Sequence, residues 1–266
     1  MTRGLILLAL AASAFAQPPN QSAIIESARA VAVNYSRNLP NFLCTESIER
    51  YDDYSDNGKW IPADQLTVEV TFNGKGENYR LVARNGRPTE LPLSAVAGTL
   101  TTGEFGSALL LIFQLSSATE FEWQKWETPH KRRLAIFRYR VTSEHSHYTL
   151  KAGQQTAIVG YHGLVAIDPE SGAVFQWSVE AEPPKGYPMM ESSIHLEYDY
   201  RKIDATEYLL PVRAVMLNTE RPLPEEQLQK LPIRARGAAS RPMRHRNLVE
   251  FKNYRKFGVD SSVTFK

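Results

Sequence analysis

The chain has 266 residues, with 31 Lys and Arg against 29 Asp and Glu, and a single cysteine. A balance this close to neutral argues against nucleic acid as the main partner, since a phosphate backbone is met by a clustered positive excess. One cysteine excludes an internal disulfide, so stability must come from a buried core, which a chain of this length can supply.

The first residues carry one charge, Arg3, then an apolar run from Gly4 to Ala14 and the triplet Ala14-Phe15-Ala16. Charged start, short apolar middle and Ala-x-Ala end predict a secretory signal peptide over 1–16, cleaved after Ala16. The run is shorter than the roughly 20 residues of a spanning helix, and Gln17-Pro18-Pro19 stops it. No cysteine stands at the cleavage point to make a lipoprotein. No later stretch is apolar enough to predict a transmembrane segment. The expected destination is the periplasm or the exterior, with 17–266 forming one domain.

Ser22 to Arg37 predicts a helix: Ile24, Ile25, Ala28, Val31, Ala32 and Tyr35 make one apolar stripe, Ser22 suits the N-cap and Pro40 the stop. The period then falls to two. Phe42, Cys44 and Ile48 alternate with polar neighbours, as do Leu66, Val68, Val70 and Phe72. Asn73-Gly74-Lys75-Gly76 and Asn85-Gly86 are hairpin turns around Tyr79, Leu81 and Ala83. From Ala95 to Ser117 the pattern is helical and apolar on more than one face, which predicts a helix buried on most sides.

Strands are then expected at Glu120–Trp126, Leu134–Val141, His145–Lys151, Ala157–Ile167, Ala173–Ala181, Ser192–Lys202, Glu207–Leu217 and Asn247–Phe257. Short turns between them, such as Asp168-Pro169-Glu170-Ser171-Gly172, require antiparallel neighbours. The expected fold is mainly β with helices: a curved antiparallel sheet or incomplete barrel, packed on the N-terminal helix and a buried central helix. Between Glu226 and Glu250 there is no acid, and Pro, Gly and Ala are frequent, so 226–247 reads as a mobile basic loop.

Gly106-Ser107-Ala108-Leu109-Leu110-Leu111 and the hairpin Gly163 to Gly172 give the layout a family likeness. The chain resembles the periplasmic lipoprotein-carrier superfamily, the group of the outer-membrane lipoprotein-sorting proteins. Tyr35 to Glu46 is similar to the opening of a set of exported bacterial proteins. The resemblance implies a hydrophobic cavity between sheet and helix that takes acyl chains. No residue role is carried over from it.

Phe105, Leu109, Leu110, Ile112 and Phe113, with Trp123 and Trp177, are the candidate ligand-cavity residues. Against them stands the plainer reading that tryptophans such as Trp60, Trp123, Trp126 and Trp177 fill a core. Arg234, Arg236, Arg241 and Arg244 are candidates for steering the protein to an anionic membrane face, against a merely solvated segment. Cys44 reads as a core thiol, because no basic partner stands near to make it a nucleophile. His145 and His147 would share a strand face, but a zinc site needs further ligands, from His195 or Glu197, and no metal motif supports one.

No nucleophile elbow, phosphate loop or dinucleotide fingerprint occurs, and no cofactor is expected. Three functions stay open. The first is an exported, non-catalytic protein holding a lipid or acyl group, free or on an acylated protein. The second is an envelope structural or interaction protein with a self-filled core. The third is a hydrolase or metal enzyme with a dispersed site.

Overall fold

The computed structural model describes residues 20–257, apart from 56, 75, 97, 99, 101 and 102. The expected signal peptide and its cleavage site lie outside the described residues. Helix α1 spans Gln21–Asn34 and buries Ile24, Ile25, Ala28 and Ala32. Its N-cap is Asn20, whose side chain accepts from the Ala23 N–H at 3.2 Å, and not Ser22 as expected. Asparagine is among the strongest caps and stands just upstream, so the helix begins sooner. A 3₁₀ turn over Ser36–Asn38 closes the segment ahead of Pro40.

Strands β1 (Phe42–Asp53), β2 (Ile61–Phe72), β3 (Glu77–Arg84) and β4 (Arg87–Pro88) form a first meander. Asn85 and Gly86, at φ of 52° and 71°, take the left-handed conformations that a two-residue hairpin turn needs. The short helix α2 (Ser107–Phe113) follows. A second run then passes through β5 (Glu120–Glu127), β6 (Leu134–Val141), β7 (Thr149–Ala152), β8 (Gln155–Ile158), β9 (Gly160–Ile167) and β10 (Val174–Glu182). It continues as β11 (Met189–Ile203) and β12 (Thr206–Glu220), then helices α3 (Glu225–Leu228) and α4 (Ile233–Ala239), then β13 (Met243–Lys256).

Eleven strands make one curved, unclosed antiparallel sheet in the order β4-β3-β2-β1-β13-β12-β11-β10-β9-β6-β5, while β7 and β8 pair separately. The last strand joins the two runs: β13 lies between β12 and β1, from Phe42 opposite Lys256 to Asp53 opposite Arg244. Among the described residues no helix is long and apolar enough to cross a membrane.

One face of the sheet carries the core. On β1 the alternation buries Phe42, Cys44, Glu46, Ile48 and Arg50 on that inner face. Phe42 packs at 5.3 Å from Phe72 and 5.0 Å from Phe105, ring centre to ring centre, which seats the segment before α2 against the sheet.

The structure corrects three further expectations. The buried helix is limited to Ser107–Phe113, because Gly103 and Gly106 (φ 102° and 139°) break its N-terminal side and Gln114 is extended. No strand covers His145–Lys151; β7 begins only at Thr149, and a turn occupies residues 143–145. The segment 226–247 is not one loop: it holds most of α3, all of α4 and the start of β13. Pro224 and Pro232 immediately precede the two helices, where a missing N–H and a fixed φ favour initiation.

Candidate ligand cavity

Helix α2 is held over the inner face by tyrosines and carboxylates rising from the sheet. Tyr198 Oη donates to the Glu104 carbonyl at 2.8 Å and accepts from Trp177 Nε1 at 3.2 Å. Tyr161 Oη donates to the Leu111 carbonyl at 2.6 Å. Arg29 of α1 reaches the Phe113 carbonyl at 2.5 Å, and Ser36 Oγ, in the 3₁₀ turn after α1, the Phe105 carbonyl at 3.0 Å. Glu77 accepts from the backbone N–H groups of Gly103 and Phe105 at 2.8 and 3.1 Å. A helix of seven residues has little stability of its own, so these anchors fix its place. Gly106 permits the close approach: a Cβ there would lie 1.8 Å from Ser36 Oγ.

Between α2 and the sheet lies a half-open cavity of about 400 Å³. Its floor is Trp177 and Val179 of β10, Ile194 of β11 and Met216 of β12, with Tyr139 and Tyr161 alongside. Leu100, Ala108, Leu111 and Ile112 form the roof, and residues 147–151, leading into β7, form the mouth. The volume falls within the 300–1,000 Å³ usual for ligand pockets, and the mostly apolar lining with a few polar groups is also typical of them. The polar groups are Glu104, Ser107, Ser192 and Asn218, with exposed His147 and Lys151 at the mouth.

Of the candidate cavity residues, Ile112 and Trp177 line this space. Phe105, Leu109 and Phe113 are buried in the core instead, and Phe113 stacks on Phe121 at 5.6 Å. Leu110 is half-buried and lines no part of the cavity. Trp123 packs edge-on against Trp126 and Phe137, away from it. The roof is therefore the Ala108–Leu111–Ile112 side of the helix, while its Leu109–Phe113 side seals the core.

The four arginines do not form one patch. Arg234 and Arg241 are exposed, and Ile233, next to Arg234, is 83% exposed. Arg236 donates to the Leu231 and Gln229 carbonyls at 3.0 and 2.9 Å, bracing its own segment. Arg244 lies in β13, over the Trp60 ring at 5.3 Å and 3.9 Å from Asp53. His145 and His147 are exposed and precede β7, so they do not share a strand face, and among the described residues no three His, Cys, Asp or Glu side chains are grouped to hold a metal.

Cys44 is buried, and burial, with the Glu46 carboxyl adding, pushes its thiol well above the ordinary range, as befits a core residue. Glu46 had no place in the apolar alternation, yet its side chain points into the core. Burial, then the nearby Glu104 and Glu77 carboxyls, hold it well above the usual carboxylate range. Burial also raises Glu77, against the hydrogen bond from Tyr79. Tyr79 Oη further bonds Glu104 at 2.7 Å.

A larger groove, of about 740 Å³, opens on the other face along β11, β12 and β13. Several of its charges are paired with one another: Arg201 meets Asp199 at 2.7 Å, and Lys252 pairs with Glu250. The inner cavity, apolar and roofed, is the better candidate.

An open antiparallel half-barrel with a cavity under a pinned inner helix is thus the class of protein that fold and site define. No protein-family profile matches the sequence, and no curated protein matches it either. Among solved structures the chain is similar in fold to a LolA-superfamily protein from Nitrosomonas europaea, at 10% identity over 92% of this chain and 97% of that one, with a TM-score of 0.40. A DUF1329-family protein from Desulfovibrio piger is 10% identical over 90% and 95%, at TM-score 0.42. A domain described as outer-membrane lipoprotein-sorting, from Vibrio parahaemolyticus, is 12% identical over 90% and 93%, at TM-score 0.43. The likeness is one of fold, and nothing about ligand or partner is taken from it.

Proposed function

We propose that this chain is an exported, non-catalytic binding protein that carries an apolar ligand, a lipid or an acyl chain, in the cavity beneath α2. In this reading a signal over 1–16 is removed and 17–266 works as one module in the periplasm or outside the cell. The observation that carries the reading is the roofed cavity of about 400 Å³ itself, floored by Trp177, Val179, Ile194 and Met216. Each buried acyl methylene contributes about 0.8 kcal/mol, so a chain can be held by shape without a charged clamp.

The test is native mass spectrometry, with lipid extraction, of protein exported by its own host. A mass beginning at Gln17 with an extractable amphiphile is the expected result. Ala108→Phe, which fills the roof, should lose the amphiphile while melting like the wild type. Ligand-free wild-type protein would favour the alternative, an envelope interaction protein whose sheet is filled by its own side chains, Phe105, Leu109 and Phe113 among them.

A further inference from the structure

We infer that the cavity reads the polar end of its occupant through Asn218, and that this end is a neutral hydroxyl or amide and not a carboxylate. The inference rests on the reading of the cavity as an acyl site. Asn218 lies on β12 two residues beyond Met216, on the same inner face, and both line the cavity. The residue is only 3% exposed. Among the described residues, nothing hydrogen-bonds its buried Oδ1. Buried amide oxygens are nearly always paired, because leaving one dry forfeits its hydration without return. An orphan acceptor in the wall of a ligand cavity is accounted for when the occupant brings the donor.

The surroundings select the kind of donor. Ser192, directly opposite Asn218 on β11, adds a hydroxyl to the same stretch of wall. Glu104 adds a buried acid to the roof side. On β13 the residue opposite Asn218 is His245; its Nδ1 lies 2.7 Å from Asp52, while its buried Nε2 makes no hydrogen bond among the described residues and lies 3.6 Å from Glu220, so two carboxylates face its charge. Arg50, on the same face of β1, is gripped by Asp64 through two bonds of 2.5 and 2.7 Å. The remaining cation, Lys151, stands exposed at the mouth. A carboxylate beside Asn218 would be stripped of water and set against an oxygen lone pair with no cation to answer it. A hydroxyl or primary amide both donates and accepts, and so pairs with the Asn218 amide whichever way that group is turned.

The experiment is calorimetric titration of the mature protein at neutral pH with decanol, decanamide and sodium decanoate, repeated on Asn218→Leu. The wild type should bind the alcohol and the amide about tenfold more tightly than the carboxylate, the effect of one satisfied buried hydrogen bond. Asn218→Leu should keep affinity for the chain, lose the preference, and melt no lower than the wild type, since an unpaired amide is replaced by an apolar side chain of similar volume. Tighter or equal binding of decanoate by the wild type overturns the inference, as does a preference that survives in Asn218→Leu. A lower melting temperature for the unliganded variant also overturns it, by showing that the amide is already paired within the protein. If none of the three probes binds the wild type, the acyl reading of the cavity falls and takes this one with it. Equal binding of all three sinks the head-group assignment alone.

Discussion

Glu46 is the residue whose chemistry is most at odds with its position. It stands between Cys44 and Ile48 on the buried face of β1, where burial and the Glu104 and Glu77 carboxyls favour its protonated form. A carboxyl whose pKa is raised on folding binds a proton that the unfolded chain has released above about pH 4.3. Stability from this group is therefore lost as pH rises from there through the raised value. Glu46→Gln should melt a few degrees above the wild type at neutral pH, and the gap should close as the pH falls towards about 4. A gap independent of pH, followed by thermal melting, would show that Glu46 is ionised in the fold. Leu109 and Leu110 offer a second contrast, because the first is buried and the second half-buried. Leu109→Asp should cost about 3–5 kcal/mol, the penalty of an uncompensated buried charge, and Leu110→Asp clearly less. Equal losses in denaturant titrations would contradict this orientation of α2.

Helix α2 depends on its neighbours, and its most exacting contact is Gly106 against Ser36. Gly106→Ala should destabilise by about 2–3 kcal/mol, combining a strained φ of 139° with a clash against Ser36 in the 3₁₀ turn after α1. Ser36→Ala in the same chain should restore part of that, since it removes the clash and leaves the strain; denaturant midpoints of the three proteins decide it. The basic segment is narrower in its claims than the sequence suggested. The membrane-steering proposal narrows to the exposed Arg234 and Arg241, with exposed Ile233 next to the first. Arg234→Gln with Arg241→Gln should then abolish co-sedimentation with anionic vesicles at low salt, each charge contributing about 1 kcal/mol near the surface. Arg236→Gln with Arg244→Gln should change it little. Equal loss in both pairs would point to diffuse charge and not to the two exposed arginines.

These elements also show what could be read from residues alone. Period-two runs located the long strands within a few residues, because apolar side chains on one parity mark a half-buried sheet. The same reading passed over Glu46, Ser192 and Asn218, since an alternation found through apolar residues skips the polar ones that share its buried face. The cavity floor was hidden for another reason. It is assembled from β6, β9, β10, β11 and β12, whose alignment depends on register shifts such as those between Glu197 and Tyr198 and between Val174 and Gln176. A bulge exchanges the two faces of a strand without altering the local pattern. Helix α2 was legible as an apolar stretch, but which side faced the core and which the cavity was set by anchors far away in the chain, notably Tyr161 and Tyr198.

At the scale of the molecule, β13 has a consequence for timing. The strands that flank it, β1 and β12, meet nothing in the middle of the sheet until residues 243–256 arrive. Closing that gap brings together stretches separated by nearly the whole chain, an ordering step that is slow because its loop entropy is lost before the contacts form. A polypeptide emerging N-terminus first would thus leave this sheet unfinished until residues 243–256 are out, with one edge of β1 unpaired and open to wrong partners. Deleting 243–256 should give aggregating protein without a cooperative melt. A soluble fragment resisting protease over 42–84 in that deletion would mean that the first meander closes by itself. Otherwise β13 is the latch, and the interval before it engages is when the half-built sheet most needs shielding from other chains.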